Sequence, residues 1–509
     1  MSDAVPKSSE WLLCQPVPNA TTCILVGALG SLPAVEFQRF QQVLWFVDAA
    51  HQALPVALRP ERIQRVLVET TPPAEAANRL EQFLRRNPRL LPSLFVTRQI
   101  LVHHPAAYAA VVDEIHRQME STHRARLTRQ LDGFTWQKHI LGNAAAYAAR
   151  RLPAEWTGAL HDVPAFVCGA GPSLDVSVAP LAAYAKHAVV FAADSALRAL
   201  ARHGVHADFA ISIDAAKIPA KCLPDRLPPT RVVLASVSPP EWQQALPDTG
   251  TCFLSSNQLT DDWFAAQGVA RTAIAASESC GSTGIDLAIH LGCGPIYLFG
   301  IDLAVDPSNQ AQRHQRDADP TLYQQSNYDP TAQLPRVPGN YVDQVPCFAL
   351  GDWRALDERL AARTSPTIYN VNDRGARLRG TTLVHPGRLA EPRTSREKAG
   401  ALAALATPTA ASAVGSVPLL RLRTVGERGT RSIPALRQAL GRGGPSCMAP
   451  LLQRLLLEPD CGRALGAFSL KVMPHLVPPI EGSPEFWSAL LDEFAQLSQL
   501  AQQIKLPDE

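Results

Sequence analysis

The chain has 509 residues, more than one ordinary hydrophobic core organises, so two or three domains are expected. Hydrophobic residues make up 46% and charged residues 18%, with a formal net charge of +2. That balance suits a folded, soluble protein and speaks against a polybasic nucleic-acid binder or an acidic tail. The ten cysteines are scattered without a CxxC pair, which argues against a zinc cluster or a disulfide framework. Residues 1–20 lack a basic start followed by an apolar core. No apolar run reaches the ~18 residues of a membrane span. A cytoplasmic protein is expected, and the 43 prolines with abundant Ala and Arg point to a high-GC bacterial genome.

In chain order, TCILVG, VLWFVDA, RVLVET and PSLFVT read as strands between residues 22 and 97. PAEAANRLEQFLRR, before the last of them, is helical in period and opens on proline. Residues 105–150 read as long helices. Together, residues 1–150 form a small N-terminal α/β domain with connecting helices. Within a central domain over residues 151–395, residues 163–302 alternate most strongly, with strand candidates AFVCG, AVVFAAD, FAISID, RVVLAS, TCFLSS and PIYLFG separated by several helical segments. Near-continuous apolar strands predict a mostly parallel, Rossmann-like sheet buried on both faces, with ligands beyond its carboxyl edge. Residues 303–350, rich in Asp, Gln, Asn and Pro, read as a long loop or lid. ALDERLAART resumes a helix and TIYNVN a strand; residues 396–418 read as a linker and 419–509 as a helical C-terminal domain.

The stretch VPAFVCGAGPSLD, residues 163–175, breaks a buried strand into Gly169-Ala170-Gly171-Pro172-Ser173. Glycines there permit positive φ and close approach of a ligand. Pro172 fits a first helical turn, and the amides from Ser173 onward would face a phosphate. An ordinary βα turn is the plainer reading. Asp194 ends AVVFAAD, Asp214 ends FAISID and Asp302 follows PIYLFGI, so three carboxylates fall at one sheet edge. One alone would be a helix cap; three beside a glycine loop point to a hydroxyl-rich or phosphorylated ligand. A second loop, SESCGSTG, offers Ser282 and Thr283 before a helix, where plain N-capping competes with ligand binding. His290 reads as a core residue and Cys280 as a bystander.

Three stretches, GAGPSLD, VVFAADSALRALARHGVHADFAISID and CGSTGIDLAIHLGCGPIYLFGIDLA, resemble the central domain of the motility accessory factors, or Maf proteins. Those bacterial proteins are implicated in attaching nonulosonic sugars to flagellin Ser or Thr. YNVNDRGARLRGT, residues 369–381, looks like the segment closing that domain, so the resemblance covers about residues 140–390. The core is also similar to bacterial sialyltransferases with a GNGPSL loop, which use CMP-sialic acid. A third similarity is to the archaeal MptE-like 6-hydroxymethyl-dihydropterin diphosphokinases, usually single-domain chains. The length here favours Maf.

The resemblance implies that Gly169, Gly171, Pro172 and Ser173 wrap the phosphate and ribose of a CMP-sugar. It puts Asp194 where the sialyltransferases carry a nucleotide-binding Asn, Ser282, Thr283 and Gly284 along the pocket, and Asp302 at its floor. Ala170 departs from the Asn of the sialyltransferase loop, so base recognition differs. DLAVDPSNQAQRHQRD lacks the aromatic and glycine that precede a Ser-His pair in Maf proteins, and His314 is the only histidine of that loop. As a transferase, the protein would need a general base near neutral pH: His314, with Asp214 or Asp302 as rivals. The partners implied are a CMP-activated sugar and an acceptor protein, possibly flagellin, with no nucleic acid and no firmly implied cofactor. A diphosphokinase would instead need Mg²⁺ on ATP, with Asp194, Asp214 and Asp302 as ligands. A non-catalytic nucleotide-sugar scaffold or chaperone is the third reading. For it the arginine run from Arg421 to Arg442 offers an acidic partner a surface, though a solvated helical face is the plainer explanation.

Overall fold

The computed structural model describes residues 11–15, 20–27, 40–48, 60–85, 91–97, 100, 106–226, 228–245, 250–256, 258–306, 308–309, 312–316, 334–394, 396–405, 416–477 and 480–506. They fall into two compact units. The first is built from described residues up to Gly133 and from the Leu470–Ser483 segment; the second runs from Phe134 to Ser469 and resumes at Pro484. The C-terminal region outside Leu470–Ser483 groups with the central sheet.

The first unit holds a five-stranded sheet in the order β1 (Trp11–Gln15), β5 (Ser93–Thr97), β2 (Thr22–Val26), β3 (Gln42–Val47), β4 (Ile63–Leu67). All pairs are parallel except β1 with β5. TCILV and SLFVT are buried at every position, as a strand covered on both faces requires. Helix α1 (Pro73–Arg85) starts on proline and buries Leu80, Phe83 and Leu84 against Ile24, Leu44 and Phe46. Residues 106–149 form one unbroken helix, α2 (Ala106–Ala149).

The second unit holds eight parallel strands: β6 (Ala165–Cys168), β7 (Val189–Ala193), β8 (Phe209–Ser212), β9 (Arg231–Ala235), β10 (Cys252–Leu254), β11 (Ile296–Phe299), β14 (Ile368–Val371) and β15 (Thr382–Val384). Their order is β10-β9-β8-β7-β6-β11-β14-β15. The chain moves outward from β6 to β10, then returns to the other side of β6 and moves outward again. The order reverses between β6 and β11, the place where open α/β sheets bind ligands. Alternate residues serve the two faces. Ala165, Val167, Phe191, Ile211 and Leu298 join one core, while Phe166 turns to the other face and meets Tyr297 and Phe299 at ring distances of 5.6 and 5.0 Å.

Helix α3 (Leu174–Tyr184) follows β6 and packs near β11; α4 (Cys280–His290) buries Ile285, Leu287 and Ala288 on the Val167 face. Within the loop expected over 303–350, residues 336–346 form an antiparallel hairpin, β12 (Arg336–Pro338) with β13 (Gln344–Pro346), and α5 (Leu350–Ala361) begins at its end. Residues 317–333 lie outside the described ones. Part of the expected linker is helical: α6 (Lys398–Ala403) puts Ala401 into the central core, and Lys398 pairs with Asp208 at 2.7 Å.

Helices α7 (Val417–Leu457) and α8 (Pro484–Gln502) pack together, burying Leu422, Val425 and Leu436 on one and Trp487, Phe494 and Leu497 on the other. The arginine run is largely spent inside this unit. Arg428 pairs with Glu458, Arg437 with Asp492, and Arg423 donates to the Ile504 carbonyl. These contacts favour the solvated face over a basic docking surface. Among the described residues no helix is long and apolar enough to cross a membrane.

Candidate active site at the sheet switch point

The glycine loop leaves β6 at the reversal of strand order, and the segment 300–303 leaves β11 beside it. They are joined directly. Gly169 N donates to the Phe299 carbonyl and Gly171 N to the Gly300 carbonyl, each at 2.8 Å. A Cβ on Gly169 would lie 2.5 Å from Gly300 O, and one on Gly300 would lie 2.5 Å from Gly169 O. Gly300, at φ +62°, is the glycine in the left-handed region; Gly169 and Gly171 are not. The expectation of positive φ at Gly169 and Gly171 is therefore corrected. These residues let two chain segments touch; positive φ belongs to Gly300.

Ser173 stands at the N-terminal cap position of α3 without a side-chain capping bond. Its backbone N–H, expected to face a phosphate, donates to Asp302 Oδ2 at 2.9 Å. The protein's own carboxylate thus holds the position that the helix start offers an anion. Asn372 Nδ2 donates to Asp302 Oδ1 at 2.7 Å, and Ala376 N donates to the Asp302 carbonyl at 2.9 Å. Asp302 is 2% exposed, so it is a latch between the glycine loop and the NVNDRG segment more than an open floor. Burial pushes its carboxyl up to about 6, against the downward pull of the Ser173 and Asn372 hydrogen bonds. Leu303, next in line, is held at φ +53°, a conformation leucine avoids and the surroundings must impose. One polar atom of the loop remains unspent: Ser173 Oγ is buried without a hydrogen bond.

Asp194, at the end of β7, is also buried. Ser195 N and Oγ donate to its Oδ1 at 2.6 and 2.9 Å, and Ser212 Oγ to its Oδ2 at 2.8 Å. Burial raises its pKa, with Lys217 opposing. Asp214 is exposed two residues past β8, accepting from Ala216 N at 2.9 Å in a turn. The three carboxylates share an edge but do not meet. Among the described residues no three His, Cys, Asp or Glu side chains converge to hold a metal ion. With Asp302 and Asp194 engaged by protein donors, the described residues do not form a carboxylate cage for Mg²⁺.

Ser282, Thr283 and Gly284 serve the start of α4. Ser279 Oγ accepts from Ser282 N at 3.1 Å, Thr283 Oγ1 accepts from Ser277 N at 2.9 Å, and all three predicted residues are buried. A Cβ on Gly284 would press on Ile211 and Val167 at 3.0 Å, so this glycine seats the helix on the sheet. Cys280 Sγ lies 3.5 Å from Asp194 Oδ2, and burial lifts its thiol well above the ordinary range. His290 is half-buried, its Nε2 3.3 Å from Thr157 Oγ1.

His314 comes to the glycine loop. Its neighbour Gln315 donates its backbone N–H to the Ala170 carbonyl at 2.8 Å, and the His314 ring sits edge-on to Phe348, 6.1 Å between centroids. Burial, then Arg313 and Lys217, push its pKa down to about 3. The imidazole is neutral at physiological pH. Lys217, which acts on both Asp194 and His314, went unnoticed in the sequence, because nothing in DAAKIPAKC marks that lysine. Its carbonyl is fixed by Trp242 Nε1 at 2.7 Å.

A cavity of about 210 Å³ beside the glycine loop is lined by Leu174, Asp175, Gln315 and Arg316, among others. A cleft of about 630 Å³ is lined by Ser277, Glu278, Asp286, His290 and Arg359, with none of the predicted site residues.

Residues 138–307 match the family model described as 6-hydroxymethylpterin diphosphokinase MptE-like. The whole chain is similar to the solved structure of the Maf glycosyltransferase from Magnetospirillum magneticum AMB-1. The match has TM-score 0.60 and 18% identity, and covers 97% of this chain and 80% of that one. The chain carries an MptE-like domain within a Maf-type fold. No curated protein matches its sequence. The MptE-like region takes in β6 to β11, and so both partners of the switch-point contact.

Proposed function

We propose that the protein is a glycosyltransferase, moving a nonulosonic, sialic-acid-like sugar from a CMP-sugar to Ser or Thr hydroxyls of an acceptor protein such as flagellin. The observation that carries this reading is the likeness to the Maf glycosyltransferase over 97% of the chain. The reaction takes place in the cytoplasm. In the chemical step the acceptor oxygen bonds to the anomeric carbon as the bond to the CMP phosphate oxygen breaks. The phosphate keeps the electron pair, and the hydroxyl proton passes to His314. Asp214, the exposed carboxylate, is the alternative base. Gly169, Gly171, Pro172 and Ser173 bound the nucleotide side, and Asp194 and Asp302 hold that frame from behind.

The description of the matched family favours one rival, a pterin diphosphokinase. The two part on ligand-induced stabilisation. A ligand at 100 times its dissociation constant stabilises the folded state by about 2.7 kcal/mol. CMP and a CMP-nonulosonic sugar are expected to raise the melting temperature without metal. A rise only with ATP and Mg²⁺ would replace the transferase reading by the diphosphokinase.

Ser173→Ala is the sharpest single-residue test. Its buried Oγ makes no hydrogen bond of ordinary geometry, though it still pulls on the Asp302 carboxyl, so stability is expected to change by about 1 kcal/mol or less. Transfer is expected to fall about a hundredfold, the scale of one lost donor at a reacting phosphate. Full transfer in a folded Ser173→Ala variant removes this residue from the site.

A further inference from the structure

Helices α4 and α5 lead into neighbouring parallel strands, β11 and β14. Both bury apolar residues in the same core, Ile285 and Leu287 from one, Leu356 and Leu360 from the other, so they lie on one face of the central sheet. The cleft of about 630 Å³ is lined by both helices and by the segment leading into α4. Its size is that of a small-molecule site. On α4, Asp286 and His290 stand four residues apart and share a face. Arg359 lies in the last turn of α5, and Arg363 follows four residues later.

The two arginines differ in what they meet. Arg359 Nη1 donates to both Glu278 oxygens at 2.6 Å, and its Nη2 lies 3.6 Å from Asp286 Oδ2. Ser277 Oγ donates to that same Asp286 oxygen, which leaves Oδ1 without a donor among the described residues. Arg363 is exposed and pairs with no carboxylate among the described residues. His290 brings it no counter-charge. The ring is half-buried, with Nε2 3.3 Å from Thr157 Oγ1, and burial lowers its pKa, so the imidazole is neutral at physiological pH.

A ligand for this cleft supplies the negative charge that Arg363 lacks, and a planar guanidinium holds a carboxylate through two parallel hydrogen bonds. A multivalent anion such as phosphate is disfavoured, because Glu278 and Asp286 line the same space and repel it. An ammonium group would have to displace Arg359 from both acids. Neutral hydroxyls meet neither cost: they donate to Asp286 Oδ1 and to the remaining lone pairs of Glu278. Ile274 and Ile289 offer the carbon skeleton an apolar wall. We propose that the cleft binds a small hydroxylated carboxylate, a sugar acid by class, with Arg363 on the carboxylate and Asp286 and Glu278 on the hydroxyls. The proposal goes beyond the transferase reading and does not depend on it.

The experiment uses the full-length protein with ¹³C-labelled histidine, followed by NMR, and three probes. N-acetylneuraminate carries hydroxyls and a carboxylate, galactose only hydroxyls, and acetate only the carboxylate. The His290 signal is assigned by its loss in His290→Gln. N-acetylneuraminate is expected to shift that signal saturably, with galactose and acetate each weaker by about tenfold or more. Arg363→Ala is expected to weaken N-acetylneuraminate about tenfold or more; Arg363→Lys, which keeps the charge without the fork, recovers part of the loss. A His290 signal indifferent to N-acetylneuraminate overturns the proposal, as does equal binding in Arg363→Ala. Acetate binding as tightly as the sugar acid overturns the assignment to a hydroxylated ligand. Displacement of N-acetylneuraminate by CMP moves it to the nucleotide side of the glycine loop and overturns the cleft as its site. None of these readouts involves sugar transfer, so a failure of the transferase reading leaves the proposal standing.

Discussion

Asp302→Ala is expected to destabilise the second unit by about 3 kcal/mol, enough to obscure any effect on activity. The carboxylate is 2% exposed and accepts from Ser173 N and Asn372 Nδ2. Alanine leaves both donors buried without an acceptor. Its partners come from the ends of β6 and β14, on either side of β11, so the loss loosens the joint on which the glycine loop rests. Asp302→Asn keeps one carbonyl and is expected to cost less. It also isolates the charge. With a native carboxyl raised to about 6 and an unfolded one near about 4, the native state binds the proton more tightly between those pH values. Stability from this group is thus greatest below about pH 4 and falls as pH rises through about 6, by about 3 kcal/mol in all. The wild type should therefore lose ground to Asp302→Asn between pH 4 and pH 7, measured as the difference in urea midpoints, in which other titrating groups cancel. A difference that stays flat with pH refutes a raised native carboxyl.

This latch separates what the sequence discloses from what it hides. Apolar runs such as AFVCG, AVVFAAD and PIYLFG mark parallel strands because both their faces are buried, and all three are strands of the central sheet. The glycine loop and the aspartates at strand ends were legible for the same reason: strand ends of a parallel sheet share one edge. Their division of labour was not. Ser173 and Asp302 are 129 residues apart, and no local pattern tells a carboxylate bonded to its own chain from one facing a ligand. Ser282 and Thr283 look alike in either role, since a hydroxyl at a helix start caps or binds with the same atoms. Strand β1 was missed because WLLCQ is brief and pairs antiparallel at the margin of its sheet, where no alternation with a helix announces it. Lys217 carried no signal at all; its influence on Asp194 and His314 comes from the fold.

The contact between Gly169 and Gly300 carries the second large effect. Gly300→Ala is expected to cost about 3 kcal/mol or more, from two sources. Alanine at φ +62° pays roughly 1–2 kcal/mol for the left-handed backbone. Its Cβ would also lie 2.5 Å from the Gly169 carbonyl oxygen, a backbone atom that cannot swing aside. Gly204→Ala supplies the control: it has φ +70° with nothing within 4 Å of its Cβ, so it bears the backbone cost alone. The difference between the two variants measures the steric part. Gly169→Ala meets the same contact from the other side, 2.5 Å from Gly300 O, with φ outside the left-handed region. Because both substitutions break one contact, the double variant should cost less than the sum of the singles. The readout is unfolding without ligand, which sets apart two reasons for a glycine here. If the glycines serve chain-to-chain approach, Gly169→Ala melts lower with the site empty. If they serve a ligand, it melts like the wild type and loses only the stabilisation by CMP. The 2.8 Å bonds from Gly169 and Gly171 to the end of β11 favour the first outcome.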